Sequence, residues 1–174
     1  YNAGEILKLI RQMETEGAKI MAFPELCITG YTCSDLFWQE LLLVRAKEEL
    51  HKLEEELEEV EGLIIVGLPL EFNQKLYNTA AVISGGKVLG FVPKHHLPNY
   101  AEFYEARHFT AGCAFEGMVN WYGREVPFGQ NLLFACEELP QLVTAVEICE
   151  DLWAPNPPSI SHALSGATLI INPS

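Results

Sequence analysis

The chain has 174 residues, 24 acidic against 11 basic side chains, a formal net charge of -13 and an isoelectric point near 4.7. That length suits one domain with a sizeable core, and so acidic a surface excludes partners whose phosphates demand basic residues, both nucleic acid and an anionic membrane face. No run approaches the roughly 20 apolar residues of a spanning helix, and no charged-then-apolar signal segment stands out, so the sequence reads as a cytoplasmic protein.

Helical and extended segments alternate along the chain. Residues 4–16 place Ile6, Leu7, Leu9, Ile10 and Met13 on one side of a helix. Gly17 stops it, and a short strand follows at 19–23. Residues 38–60 form a long helix with an apolar stripe of Leu42, Ala46, Leu50, Leu53, Leu57 and Val60. Glu48, Glu49, Glu54, Glu55, Glu56, Glu58 and Glu59 crowd its other faces, which predicts a solvated acidic surface. The stripe spans too few heptads for a coiled coil and is expected to pack on a sheet.

Strands are predicted at 63–69, 77–84 and 87–91, with Gly85-Gly86 closing a two-residue hairpin. Residues 93–128 read as one long irregular segment, unusual for a mere connection, and are expected to form much of a pocket wall. Two more strands, 132–135 and 142–148, flank the turn at 137–140. A helix over 158–164 ends at Gly166, and 168–171 is apolar enough for a buried strand.

Five cysteines, Cys27, Cys33, Cys113, Cys136 and Cys149, form an odd set without regular spacing. They fit neither a disulfide framework nor a zinc site, and no metal is predicted. Cys149 differs from the other four by its place, where an apolar strand runs into the acidic turn Glu150-Asp151. A thiol there projects from a rigid sheet toward unpaired backbone N–H groups, as nucleophilic attack and oxyanion stabilisation require.

Two further strand ends carry complementary groups. Glu25 follows Pro24 after the strand at 19–23, and Lys94 follows Pro93 after the strand at 87–91. A carboxylate, an ammonium and a thiol are therefore available together. Taken singly, each has an ordinary structural explanation: a small buried hydrophobe for Cys149, a turn residue for Glu25, a sheet-edge charge for Lys94.

The stretches FPELCITGYTCSDLF (23–37), PKHHLPNYAEFYEARHF (93–109) and VEICEDLWAPNPPS (146–159), in that order, resemble the nitrilase or carbon–nitrogen hydrolase superfamily. More narrowly they resemble the N-terminal glutaminase domains of glutamine-dependent NAD synthetases. The resemblance implies an α/β fold, an α-β-β-α sandwich of the nitrilase type. In residues 1–174 this reads as an incomplete N-terminal portion, lacking the first strand, the later half of the sandwich and any synthetase domain.

The resemblance also implies roles. Glu25, Lys94 and Cys149 would form a Glu-Lys-Cys triad, and Glu105 would be the second glutamate beside it, with Glu102 its near competitor. An ion pair with Arg107 is the ordinary alternative for Glu105. Tyr31 and Tyr100 would be aromatic pocket residues near glutamine. The implied partners are glutamine, a C-terminal synthetase domain and further copies of the chain.

The family's synthetase domain uses ATP and magnesium to amidate deamido-NAD. Nothing in this chain binds ATP, since it holds no phosphate-cradling glycine loop, and no cofactor is predicted for these residues. Two alternatives stay open: a stand-alone amidase or carbamoylase of the same superfamily, and a non-catalytic assembly module. His95-His96 should diverge as neighbours at a strand exit, and Ser159, Ser161 and His162 lack a recognisable triad spacing.

Overall fold

The computed structural model describes residues 1–114 and 117–174. Residues 115 and 116, inside the segment read as irregular, lie outside the described residues. Helix α1 (Asn2–Thr15) leads into strand β1 (Ile20–Ala22). The buried face of α1 is narrower than its periodicity suggested: Ile6 and Ile10 are enclosed, whereas Leu9 is exposed.

A 3₁₀ segment over Tyr31–Trp38 precedes helix α2 (Glu40–Glu56). Its stripe, Ala46, Leu50 and Leu53, continues through Leu57 and Val60 into the core. Glu54 corrects the prediction of a uniformly solvated acidic face. It lies one helical turn beyond Leu50, hence on the same side, and is buried. There its carboxylate accepts hydrogen bonds from the Val88 N–H at 2.7 Å, the Trp121 indole N–H and the Arg124 guanidinium.

Strands β2 (Leu63–Phe72), β3 (Lys75–Ser84) and β4 (Lys87–Pro93) form an antiparallel meander. The Gly85-Gly86 turn is left-handed at both residues, as a two-residue hairpin requires. The preceding turn, Asn73-Gln74, has the same handedness, with φ of 49° and 60°. β2 and β3 therefore run further than predicted, since Gln74 is not an ordinary left-handed residue and gives no turn signal in the sequence.

The segment read as irregular is only partly so. It contains the single helical turn α3 (Glu105–His108) and a hairpin of β5 (Gly117–Trp121) and β6 (Arg124–Phe128). Alternation buries Val119 and Trp121 on one strand and Val126 and Phe128 on the other. The first sheet then has the order β1-β2-β3-β4-β6-β5, with β1–β2 and β4–β6 parallel.

A second sheet has the order β7-β8-β9, made of β7 (Leu133–Ala135), β8 (Val143–Val146) and β9 (Leu169–Ile171). Helix α4 (Pro158–Leu164) packs against β8. Along β2, Ile64, Val66, Leu68 and Leu70 face the core shared with α1 and α2. Ile65 faces the other way, with Ala80, Val82 and Val92, against Val146 and Phe134 of the second sheet and Ile148 just beyond β8. Both faces of β2 are covered, so its sequence is an almost unbroken apolar run. The layers follow the predicted α-β-β-α order, and no helix is long and apolar enough to cross a membrane among the described residues.

Candidate active site

Strand β1 ends at Ala22, earlier than predicted, so Glu25 belongs to a turn. The Phe23 N–H still bonds Ile65 O at 2.9 Å, after which the chain reverses through Leu26, whose φ is 52°. The Ile28 N–H donates to Gly67 O at 3.1 Å and fixes this turn against β2. Glu25 is thereby directed inward and is buried.

Lys94 follows the last residue of β4, and its own N–H donates to Asn78 O at 2.8 Å, so the ladder continues up to this side chain. Its ammonium is wholly enclosed between two carboxylates, 2.6 Å from Glu25 Oε1 and 2.7 Å from Glu105 Oε1. Asn78 Nδ2 donates to Glu25 Oε1 at 2.6 Å and reaches Glu105 Oε2 at 3.4 Å. The Tyr31 hydroxyl donates to Glu105 Oε1 at 2.9 Å.

These contacts decide several alternatives. Glu105 joins the cluster, whereas Glu102 is exposed beside a cavity of about 250 Å³ whose walls include Tyr31, Glu102 and Glu105. Arg107 does not pair with Glu105. It forms two bonds to Asp35, at 2.9 and 3.1 Å, because α3 turns residues 105 and 107 to different sides.

Burial works against the Lys94 ammonium, but Glu25 and Glu105 more than offset it and hold its pKa above the ordinary value. Lys94 is thus a permanent cation, suited to hydrogen-bond donation and not to taking a proton. Burial pushes the Glu105 carboxyl up, against the pull of Lys94 and with the push of Glu25. Burial likewise raises the Tyr31 hydroxyl, with Glu105 adding to it.

Cys149 is the third residue beyond β8 and opens a 3₁₀ turn, Cys149–Trp153. Its φ is 45°, in the left-handed region. The Cys149 N–H is committed to Pro173 O at 2.9 Å, and Asn172 Nδ2 donates to Cys149 O at 3.3 Å. Burial raises the thiol pKa first and the Glu25 carboxylate raises it further, while Lys94 and the Ser174 hydroxyl lower it. The resting group is the protonated thiol, which as a nucleophile would need a base beside it.

Sequence reasoning missed two contributors. Asn78 is a polar residue in a strand covered on both faces, a signal in itself, and it joins both carboxylates. Asp151 was only part of an acidic turn. It is buried, and its carboxylate accepts the main-chain N–H groups of His95 at 3.1 Å, His96 at 2.7 Å and Ile148 at 3.0 Å. No sequence spacing announces that contact.

The remaining candidates sit apart from the cluster. Tyr100 is exposed, its hydroxyl donating to the Glu150 carboxylate at 3.0 Å. His95 and His96 do not diverge as predicted: β4 has ended, and their rings meet edge to face at 4.5 Å. Each ring contacts a carbonyl, Gly112 O at 2.6 Å and Asn156 O at 3.2 Å. His162 bonds Gln130 O at 3.0 Å, and the Ser159 N–H donates to Glu147. Among the described residues no group of three or more His, Cys, Asp or Glu is gathered as a metal site.

A model of the carbon–nitrogen hydrolase family matches residues 1–174. Glutamine-dependent NAD(+) synthetase of Mycobacterium tuberculosis is 43% identical over 171 residues, covering 98% of this chain and 25% of the relative. The crystal structure of a glutamine-dependent NAD(+) synthetase from Cytophaga hutchinsonii superposes with a TM-score of 0.86 at 31% identity, over 99% of this chain and 27% of that one. An amidase from Nesterenkonia sp. gives a TM-score of 0.70 at 21% identity, over 99% and 57%, a likeness of fold alone. The chain spans about a quarter of the length of the synthetases it matches.

Proposed function

This chain belongs to the carbon–nitrogen hydrolase family, and from that premise we propose that it is the glutaminase part of a glutamine-dependent NAD synthetase. The observation that carries the reading is the Lys94 ammonium clamped between Glu25 and Glu105, with the Cys149 thiol within the influence of both Glu25 and Lys94. The identity of 43% to synthetases named as glutamine-dependent supports the substrate.

A carboxamide resists attack because its carbonyl is resonance-stabilised and its amine is a poor leaving group. In the proposed mechanism Glu25 takes the thiol proton as Cys149 Sγ attacks the glutamine carboxamide carbon. The hydrogen bonds from Asn78 and Lys94 both fall on Glu25 Oε1, and Oε2 is the oxygen assigned to that proton. Lys94 Nζ and the Glu150 N–H stabilise the oxyanion; the Cys149 N–H is already committed to Pro173.

Collapse of the tetrahedral intermediate breaks the carbon–nitrogen bond, and Glu25 returns its proton to release ammonia. Water then gives a proton to Glu25 and attacks the thioester; the carbon–sulfur bond breaks, glutamate leaves and the thiol is restored. Glu105, braced by Tyr31 and Asn78, keeps Lys94 charged and in place. Tyr100, with the Glu150 carboxylate, is assigned to the pocket mouth, where a carboxylate suits an amino acid's ammonium group.

The ammonia would pass to a synthetase domain that uses ATP and magnesium to amidate deamido-NAD. Cytoplasmic location and assembly of several copies belong to the same proposal. Its test is peptide mapping of the intact protein after treatment with an electrophilic glutamine analogue, with free glutamine as competitor. Glutamine-protected labelling at Cys149 alone supports the reading. Labelling spread over the five cysteines, or turnover of other small amides but not glutamine, overturns it.

A further inference from the structure

We propose that Asp151 is a positioning residue that fixes the separation of Lys94 from Cys149. The inference rests on the glutaminase reading for its kinetic consequence, but its geometry stands without it. One buried carboxylate joins two loops far apart in sequence: the main chain directly after Lys94, through His95 and His96, and the main chain directly before Cys149, through Ile148. The Asp151 N–H closes the second loop on itself by donating to Ile148 O at 3.0 Å.

His96 also meets Asn156 O at 3.2 Å and the Tyr100 hydroxyl meets the Glu150 carboxylate at 3.0 Å, but neither bond joins the main chain beside Lys94 to the main chain beside Cys149. Lys94 is otherwise anchored to β3 through Asn78 O, and Cys149 to the segment after β9 through Pro173 O. These anchors lie in different sheets, so the relative placement of the two would depend on how the sheets slide. Asp151 removes that freedom by holding both loops at a single carboxylate. Three N–H donors on one buried carboxylate accept no neutral substitute: an Asn places an NH₂ donor against at least one of them.

The groups that act on the Cys149 thiol are Glu25, Lys94 and Ser174, with Tyr31 and Tyr100 also within its field. Lys94 is the cation among them, so retreat of Lys94 raises the pH at which the thiol ionises. In the intact protein, Asp151→Asn is expected to lower glutamine turnover about a hundredfold, the scale of a misplacement near 1 Å, with KM changed less than about threefold. The pH midpoint of Cys149 alkylation, read by peptide mapping, should rise by about one unit.

Parental turnover in Asp151→Asn, or lowered turnover with an unmoved alkylation midpoint, overturns the proposal. Asp151→Glu separates geometry from charge: positioning requires a loss of about tenfold or more, and parental activity in this variant overturns it. Should Asp151→Asn fail to fold, Asp151→Glu carries the test alone by the same two readouts. If the unsubstituted protein does not hydrolyse glutamine, the glutaminase reading fails, while the alkylation midpoints still decide the role of Asp151.

Discussion

Gly67 and Leu26 meet with no room for a side chain between them: a Cβ on Gly67 would lie 2.3 Å from the Leu26 nitrogen and 2.7 Å from Pro24 O. Both contacts are to backbone, so neither can move aside without moving the turn that carries Glu25. Gly67→Ala is expected to lower glutamine turnover about a hundredfold, the scale of a misplacement near 1 Å of the proposed base Glu25. Steady-state kinetics beside circular dichroism check it; an active Gly67→Ala protein would show that the turn is not set by this approach.

Removal of Lys94 has two consequences. Lys94→Met leaves two buried carboxylates facing each other without their cation, a loss of about 3–5 kcal/mol, and it removes the proposed oxyanion donor. Turnover should vanish and thermal stability fall together. Cys149→Ser should abolish turnover while leaving the melting curve near the parent's, because no ion pair is broken.

Tyr31→Phe removes one of the hydrogen bonds on Glu105 and leaves those from Lys94 and Asn78. A fall in turnover of about tenfold or less is expected, each bond being worth about 1 kcal/mol net. A complete loss in this variant would instead assign the hydroxyl a part in the chemistry.

Glu54 is remote from the cluster but holds α2 to β4 and the β5–β6 hairpin. Glu54→Ala strands the Val88 and Trp121 N–H groups in the core, at about 1–3 kcal/mol each, and should lower the melting temperature by several degrees. Glutamine turnover at low temperature should be nearly unchanged.

Burial pushes the Cys27 thiol up to about 11. A raised thiol pKa means the neutral, unreactive form persists through neutral and mildly alkaline pH. At pH 8, alkylation followed by mass spectrometry should modify exposed Cys113 early and Cys27 last.

The sequence was most legible where periodicity or a turn signal was strong. The α2 stripe, the Gly85-Gly86 hairpin and the strand end before Lys94 could all be read from spacing. The β5–β6 hairpin was hidden inside a polar segment, although Val119, Trp121, Val126 and Phe128 carry its alternation. Glu54 was misread because the glutamates crowding this helix look alike until the position beside Leu50 is considered. Family motifs pointed to Glu25, Lys94, Glu105 and Cys149, and the fold brings the first three into hydrogen-bonding contact. Asn78 and Asp151 act through contacts across the sheets, which residue spacing along a chain does not encode.

The left-handed backbone of Cys149 means that the proposed nucleophile is held where a side chain is unwelcome. Such a conformation costs about 1–2 kcal/mol for a residue with a Cβ, and the Pro173 and Asn172 bonds keep it there. A glycine at this position would relax the backbone and make the fold sturdier while removing its reactive atom. Selection for durability alone would therefore drive this protein toward inactivity, and only continued demand for the chemistry keeps a cysteine at position 149.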